Sequence, residues 1–280
     1  MDIFFNELVN DFKVKFKNKY KFITLLLLII SISSILCNAL SATVLPIDSI
    51  GYMIANFVIQ IIFAILSSVV YYIVLLCYRK QEINKQNLSV ISKNIARLLM
   101  CLLLINCFKI TLLISISLLI SFLPFLRILY DFILYIIETL ALAISLISIY
   151  LVVDTKNNIP YILYAAFFMV KKQILSIVTA ALPYIVISLF VTISLMMVST
   201  YAFDVSLNQN SVTSILELVI RGEAIGNYGI LIIAIFIISF ILLAIGSMFL
   251  VCVITCIYGK YRNENDKALQ SVLQDYNKLS

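Results

Sequence analysis

Six long apolar segments dominate this 280-residue sequence and restrict its fold more than any other feature. A helix needs about 20 apolar residues to cross the ~30 Å hydrocarbon core of a bilayer, and every segment reaches that length. Charged residues make up only 12% of the chain, against about 25% in soluble domains. The pattern predicts an all-α polytopic membrane protein with six transmembrane helices in three hairpins. The predicted spans are 22–45, 53–77, 99–122, 132–153, 174–202 and 229–258.

A shorter amphipathic segment precedes each predicted hairpin. In residues 1–21, Leu8 and Phe12 belong to one apolar arc at 100° per residue, while most lysines lie elsewhere. Residues 81–97 and 160–173 have similar patterns. We expect three amphipathic helices on the cytoplasmic membrane surface, with a solvated basic tail as the alternative for the first. In the third, the predicted apolar face is Ile162, Leu163, Ala166, Phe167 and Val170.

Basic residues indicate the orientation of the chain. All but three of the 20 lysines and arginines lie in the N-terminal segment, the connections after the second and fourth spans, or the C-terminal segment. Because such residues accumulate on the cytoplasmic side, both termini are predicted to be cytoplasmic. The abundant Ile, Asn and Lys suggest a low-GC bacterium, and hence its plasma membrane. The net charge of +6 is therefore interpreted as a topology signal. It predicts anionic lipid headgroups as partners at the basic face, and no nucleic acid.

The order of surface helix, span, turn, span and basic stop occurs three times. We therefore divide a single membrane domain, residues 1–262, into pattern repeats 1–80, 81–156 and 157–262, followed by a cytoplasmic tail at 263–280. Residue identities do not repeat, and any six-span protein can be divided into three hairpins. The amphipathic segment before each hairpin is what favours a repeat around an axis along the membrane normal.

One motif resembles a known group of proteins. An amphipathic segment beginning at Pro160 enters the fifth span through Lys171, Lys172 and Gln173, ending in Ile174-Leu175. Together with the alternation of surface helices and hairpins over residues 1–262, this resembles a broad group of Gram-positive six-span proteins. That group includes the membrane domain ahead of some glycerophosphodiester phosphodiesterases. The resemblance implies the fold and a role near lipids or the envelope, and it carries over no functional residues.

Several classes of chemistry lack their usual residues. The sequence has no histidine, which removes His-dependent triads and HExxH zinc sites, and it has no phosphate-binding glycine motif. Its cysteines all fall in apolar segments without a CxxC pair, and we interpret them as small apolar filler. We therefore predict no catalytic residues, no metal and no cofactor, and a chain that is not an enzyme by itself. The cysteines are Cys37, Cys77, Cys101, Cys107, Cys252 and Cys256.

Two charges interrupt the middle hairpin. Lys109 and Glu138 are equidistant from the apparent turn at Leu123-Pro124, so an antiparallel hairpin places them at the same depth, about 20 Å from the turn. A charge at that depth costs about 2.5–3.5 kcal/mol on insertion scales. The two residues are therefore a candidate ion pair, with Asn106 beside Lys109 on the same helix.

The first hairpin has a similar uncharged pair. Asn38 and Gln60 are equidistant from position 49, so they too should share a depth, and all five polar residues are candidates for a common binding centre. Two other interpretations stay open. Lys109 reaches the cytoplasmic headgroups if 98–108 still belongs to the surface helix, or the pair has a purely structural role.

Three functions fit these patterns. The first is an integral membrane component of envelope export or protection, either a transporter membrane subunit or an immunity-type factor, which engages a separate ATPase or other membrane subunit through residues 81–97 or 160–173. The second is a stand-alone carrier or channel that uses the Lys109 and Glu138 centre. The third is a lipid-acting membrane enzyme, which is least favoured because nucleophiles and bases do not cluster.

Overall fold

The computed structural model describes residues 2–44, 50–122, 127–203 and 228–264. These ranges contain nine α-helices and no strand, and six of the helices are long and apolar enough to cross a membrane. The predicted all-α polytopic membrane fold is confirmed. The helices are α1 (Asp2–Phe16), α2 (Tyr20–Val44), α3 (Ile50–Tyr78), α4 (Lys85–Lys93), α5 (Ile95–Phe122), α6 (Arg127–Asp154), α7 (Ile159–Lys172), α8 (Ile174–Phe203) and α9 (Tyr228–Glu264).

The short helices α4 and α7 begin and end in the same way. The side chain of Asn84 accepts a hydrogen bond from the backbone N–H of Asn87 at 2.8 Å, and Asn158 caps α7 in the same manner. Such caps satisfy backbone donors that the first turn leaves unpaired. At the other end, a single non-helical residue, Asn94 or Gln173, separates each short helix from the span that follows.

The spans form an inner and an outer layer. The inner helices α3, α6 and α9, which are the second members of the three hairpins, all contact one another. Each outer helix contacts its own inner partner and one inner helix of another hairpin: α2 contacts α3 and α9, α5 contacts α6 and α3, and α8 contacts α9 and α6. The same relation thus occurs three times around the inner helices.

The amphipathic helices follow the same rule. Helix α1 packs on α9, α4 on α3 and α7 on α6. Helices α4 and α7 thus contact the inner helix of the hairpin before them in the chain, and α1, which begins the ring, contacts the inner helix of the third hairpin. The predicted boundaries at 80/81 and 156/157 fall in the connections after α3 and α6. The predicted turn at Leu123-Pro124 and most of the predicted tail at 263–280 lie outside the described residues.

Burial is concentrated at the end of the bundle where the inner helices finish, which we name the basic end. Nearly all of 70–78, 146–152 and 250–258 is buried, whereas large apolar residues nearer the other end, such as Phe57 and Ile114, are exposed. Lys260 near the end of α9 forms an ion pair with Glu7 of α1 at 2.7 Å, so the two ends of the described chain meet there. The tightest packing therefore lies at one membrane face.

The structure bears on two expectations about the surface helices: it favours the amphipathic helix over the alternative of a solvated tail for α1, and it specifies the residues that α7 buries. Helix α1 is not a solvated tail, because Leu8 and Phe16 are fully buried and the Phe12 ring lies 5.4 Å from that of Phe249. In α7, Phe167 is 52% exposed although it was placed on the apolar face. Phe167 stays outside the contact because the small residues Ala165 and Ala166 let α7 approach α6 closely. The residues that α7 buries are Tyr161, Ile162, Ala165, Ala166, Met169 and Val170.

A glycine makes close contact possible between α9 and α3. A Cβ atom at Gly259 would lie 2.2 Å from Cε1 of the buried Tyr78 ring, whereas one at Gly246 would meet Tyr184 at 3.3 Å. We expect Gly259→Ala to lower the thermal midpoint of the detergent-solubilised protein, since overpacking costs about 1–3 kcal/mol. Gly246→Ala is the matched control and should cost less. The Gly259→Ala penalty should shrink in a Tyr78→Ala background, and an equal penalty there would contradict the contact.

Candidate functional site

The predicted ion pair is not present in the structure. Lys109 and Glu138 both lie near the middle of their helices, but no ion pair within 4.0 Å joins these two described residues. Lys109 borders an apolar cleft between α5 and α6 that Ile137 and Ala141 also line. Glu138 is exposed on α6 and does not line that cleft. Because Glu138 lies one residue and about 100° around α6 from Ile137, equal spacing from the turn did not make the two charges face each other.

The alternative that Lys109 reaches the headgroups is also not supported by the helix boundaries. It required the surface helix to extend through 98–108, but α4 ends at Lys93 and α5 is continuous from Ile95. Lys109 therefore lies about 14 residues, or ~20 Å, into the helix that carries the third span.

Two of the uncharged candidates share one groove. Gln60 and Asn106 border an open groove of about 490 Å³ between α2, α3 and α5, together with Ser31, Ser34 and Ser67. Asn38 does not line this groove, and its Oδ1 atom is buried without a hydrogen-bond partner among the described residues. The structure therefore brings Gln60 and Asn106 together, and it does not place all five predicted residues in one groove.

A different polar cluster joins the inner helices at the basic end. Both guanidinium Nη atoms of Arg79 donate to the two carboxylate oxygens of Asp154, with an Nη1–Oδ1 distance of 3.0 Å. The Tyr258 hydroxyl donates to Asp154 Oδ2 at 2.6 Å. Asp154 is only 7% exposed and Arg79 23%. One carboxylate thus joins the residue that follows α3, the last residue of α6 and Tyr258 in the C-terminal part of α9. Its bidentate contact with Arg79 is a strong and directional arrangement.

A second layer of polar contacts lies one turn deeper. The Tyr150 hydroxyl forms a 2.8 Å hydrogen bond with Oγ1 of Thr255, and the rings of Tyr150 and Tyr258 are 5.2 Å apart. Tyr150 and Thr255 are fully buried, so their hydrogen bond satisfies two groups that would otherwise be costly in the core. Together with the Arg79 cluster, these contacts form an ordered polar column between α6 and α9.

Arg97 fixes the connection that follows α6. Its guanidinium donates to the backbone carbonyls of Thr155 and Asn157, and to Oδ1 of Asn94 at 3.2 Å. The basic residue that begins α5 therefore also holds the α6–α7 loop. Two arginines that the positive-inside rule explains only as topology signals are in fact structural contacts at the basic end.

The apolar pattern does not mark the Arg79 cluster, but the repeat spacing does. Asp154 is the final residue of α6 and lies 75 residues after Arg79, close to the repeat period of about 80. Corresponding ends of successive inner helices meet if the three hairpins surround one axis. Asp154 and Arg79 are therefore the pair that the repeat favours, whereas Lys109 and Glu138 belong to one hairpin.

The cluster is suited to closing the bundle and not to catalysis. An arginine stays protonated in proteins and cannot act as a base, and all three polar groups already have partners. Within the described ranges, no group of three or more His, Cys, Asp or Glu side chains is placed to hold a metal ion. Comparison with protein families, curated proteins and solved structures gives no match.

We expect Asp154→Asn to lower the thermal midpoint. Removing one partner of a buried ion pair costs about 3–5 kcal/mol, and the partial exposure of Arg79 should bring the loss toward the lower end. The double variant Arg79→Met, Asp154→Leu should recover much of the loss, because no uncompensated charge remains. Tyr258→Phe is a milder control, because loss of its one hydrogen bond to Asp154 should lower the free energy of unfolding by about 1 kcal/mol. A double variant that is less stable than Asp154→Asn would contradict the pairing.

Proposed function

We propose that this chain is an integral component of the bacterial plasma membrane in envelope export or protection, either the membrane subunit of a transporter or an immunity-type factor. It works without catalysis of its own and engages a separate ATPase or another membrane subunit. The observation that carries the proposal is the preformed surface at the basic end, where α1, α4 and α7 are each docked on an inner helix. The resemblance to Gram-positive six-span membrane proteins agrees with this role.

The outward side of α7 has the features of a docking surface. Its buried side is fixed against α6, while Phe167, Lys171 and Lys172 are exposed, with Phe167 at the edge of the apolar cleft that Lys109 borders. A single exposed aromatic residue beside two cations supplies both apolar area and charge, which is the usual composition of a binding hot spot and its rim. Since Gln173 connects α7 directly to α8, a partner bound to α7 acts on a spanning helix.

We expect cysteine labelling to place the basic end in the cytoplasm. A cysteine at Lys93, exposed at the end of α4, should react with a membrane-impermeant maleimide only in inside-out vesicles. A cysteine at Ile50, which is 75% exposed at the other end of the bundle, should react only from outside. The background should first have the exposed Cys107 replaced by Ser. The reverse labelling would overturn the proposed orientation.

The protection role predicts a phenotype that depends on α7. Expression of the chain should raise the concentration of a membrane-active peptide needed to inhibit a sensitive Gram-positive host. Phe167→Asp combined with Lys171→Glu should remove that protection without reducing abundance, because both side chains lie outside the core. Lys85→Gln, an exposed lysine on α4, is the control with a similar surface change. Unchanged resistance with the α7 variant would contradict docking there.

A stand-alone carrier remains the second candidate, favoured by the polar groove of Gln60 and Asn106 within the spans. Reconstitution distinguishes the two. The purified chain alone in liposomes should give no ion- or proton-dependent flux if it needs a partner. Flux from the chain alone, lost in Gln60→Leu, Asn106→Leu, would favour the carrier.

A further inference from the structure

Four lysines border one cleft at the basic end. Lys15, Lys17 and Lys19 come from the end of α1 and its connection to α2, and Lys80 comes from the connection between α3 and α4. The cleft, which we name the lysine cleft, has a volume of about 790 Å³, and Glu82 is the one carboxylate among its lining residues in the described chain. Segments far apart in sequence thus bring a positive excess to one place.

Within the described residues, these four lysines form no close ion pair. Among the described residues, none of the four lysines lies within 4.0 Å of a carboxylate oxygen. The Lys15 ammonium instead lies 5.2 Å from the centre of the Tyr78 ring, a cation–π contact that leaves its charge available. Four like charges around one cleft repel one another, and a bound anion would relieve that repulsion.

Lys80 stands at a backbone position that favours glycine. The N–H of Gln81 donates to the carbonyl of Leu76 and the N–H of Lys80 to that of Cys77, which together form the Schellman ending of α3. Lys80 is the residue in the left-handed region, with φ 57°, where glycine is unstrained. A lysine at this position costs stability relative to glycine, and its side chain lines the lysine cleft.

An apolar cleft adjoins the lysine cleft. It has a volume of about 720 Å³ and shares Val14 and Lys17 with the lysine cleft. Its other lining residues are Phe12, Phe16 and Tyr20, with Lys13. Tyr20 is the first residue of α2, so both clefts lie where a spanning helix begins. A cationic region beside an apolar one at that level has the chemistry of a phospholipid, with its phosphate outside the hydrocarbon and its chains along the helix.

We propose that the lysine cleft binds the phosphate headgroup of one anionic phospholipid, whose acyl chains lie along the adjacent apolar cleft. Lys80, Lys19 and Lys17 surround the phosphate, and Val14, which is 70% exposed, contacts the first methylene groups of the chains. The bound lipid then joins the α1–α2 connection to the end of α3. This site does not depend on the export or protection role.

The test uses full-length protein in detergent, mixed with phosphatidylglycerol or phosphatidylcholine, with retained lipid counted by native mass spectrometry. Wild type should retain phosphatidylglycerol in preference to phosphatidylcholine. Lys80→Gly should weaken phosphatidylglycerol binding about fivefold, and Lys80→Gly with Lys19→Gln about 25-fold, on the usual contribution of one lysine near an anionic surface. The thermal midpoint of Lys80→Gly without lipid should be unchanged or higher, because glycine removes the strain.

Lys21→Gln is the matched control, since Lys21 is exposed on α2, changes the net charge equally and does not line the cleft. It should retain lipid as wild type does. An equal loss in Lys21→Gln would reduce the effect to overall charge and overturn the site, as would wild-type retention in Lys80→Gly.

Two further measurements separate a lipid from a soluble anion. Val14→Ser should weaken phosphatidylglycerol retention, because it removes apolar contact without changing charge. Inorganic phosphate in millimolar excess should leave retention of phosphatidylglycerol largely intact. Complete displacement by inorganic phosphate, together with no effect of Val14→Ser, would assign the cleft to a soluble phosphate and overturn the lipid proposal.

Discussion

The bidentate contact between Arg79 and Asp154 is the constraint on which the arrangement of the spans depends. It joins the ends of two inner helices, and Tyr258 adds the third through the same carboxylate. A buried ion pair contributes little net stability compared with apolar side chains of the same size, but it permits far fewer alternative partners. In a bundle where most side chains are Leu, Ile and Val, many helix orientations bury similar area. One carboxylate that accepts hydrogen bonds from two specific helices selects among them.

Hydrophobic length and charge distribution were sufficient to predict the fold. The six spans, the short helices before each hairpin and the segment breaks near positions 80 and 156 all follow from where apolar residues stop and basic residues begin. These features depend on transfer of side chains between water and lipid, which is a property of each residue in its own segment. The sequence of each segment therefore contains the information needed to predict these features.

The candidate site could not be predicted in the same way. Spacing along two helices predicts the depth of Lys109 and of Glu138. Whether their side chains face each other depends on the rotation of each helix about its own axis. That rotation depends on packing with α3, α7 and α8, which no single hairpin encodes. The face of α7 shows the same limit, because Ala165 and Ala166 determine how closely it approaches α6 and so which large residues stay outside.

The contact of α2 with α9, and of Glu7 with Lys260, joins the first and last parts of the described chain. A chain that enters the membrane from its N-terminus cannot form these contacts until α9 has been synthesised. Until then the first hairpin lacks one of its two inner neighbours, and the buried sides of α1 and α2 remain accessible to lipid, to insertion factors or to proteases. Assembly of the first hairpin into this ring therefore depends on α9, which follows it by about 150 residues, and loss of α9 should affect the hairpin that was made first.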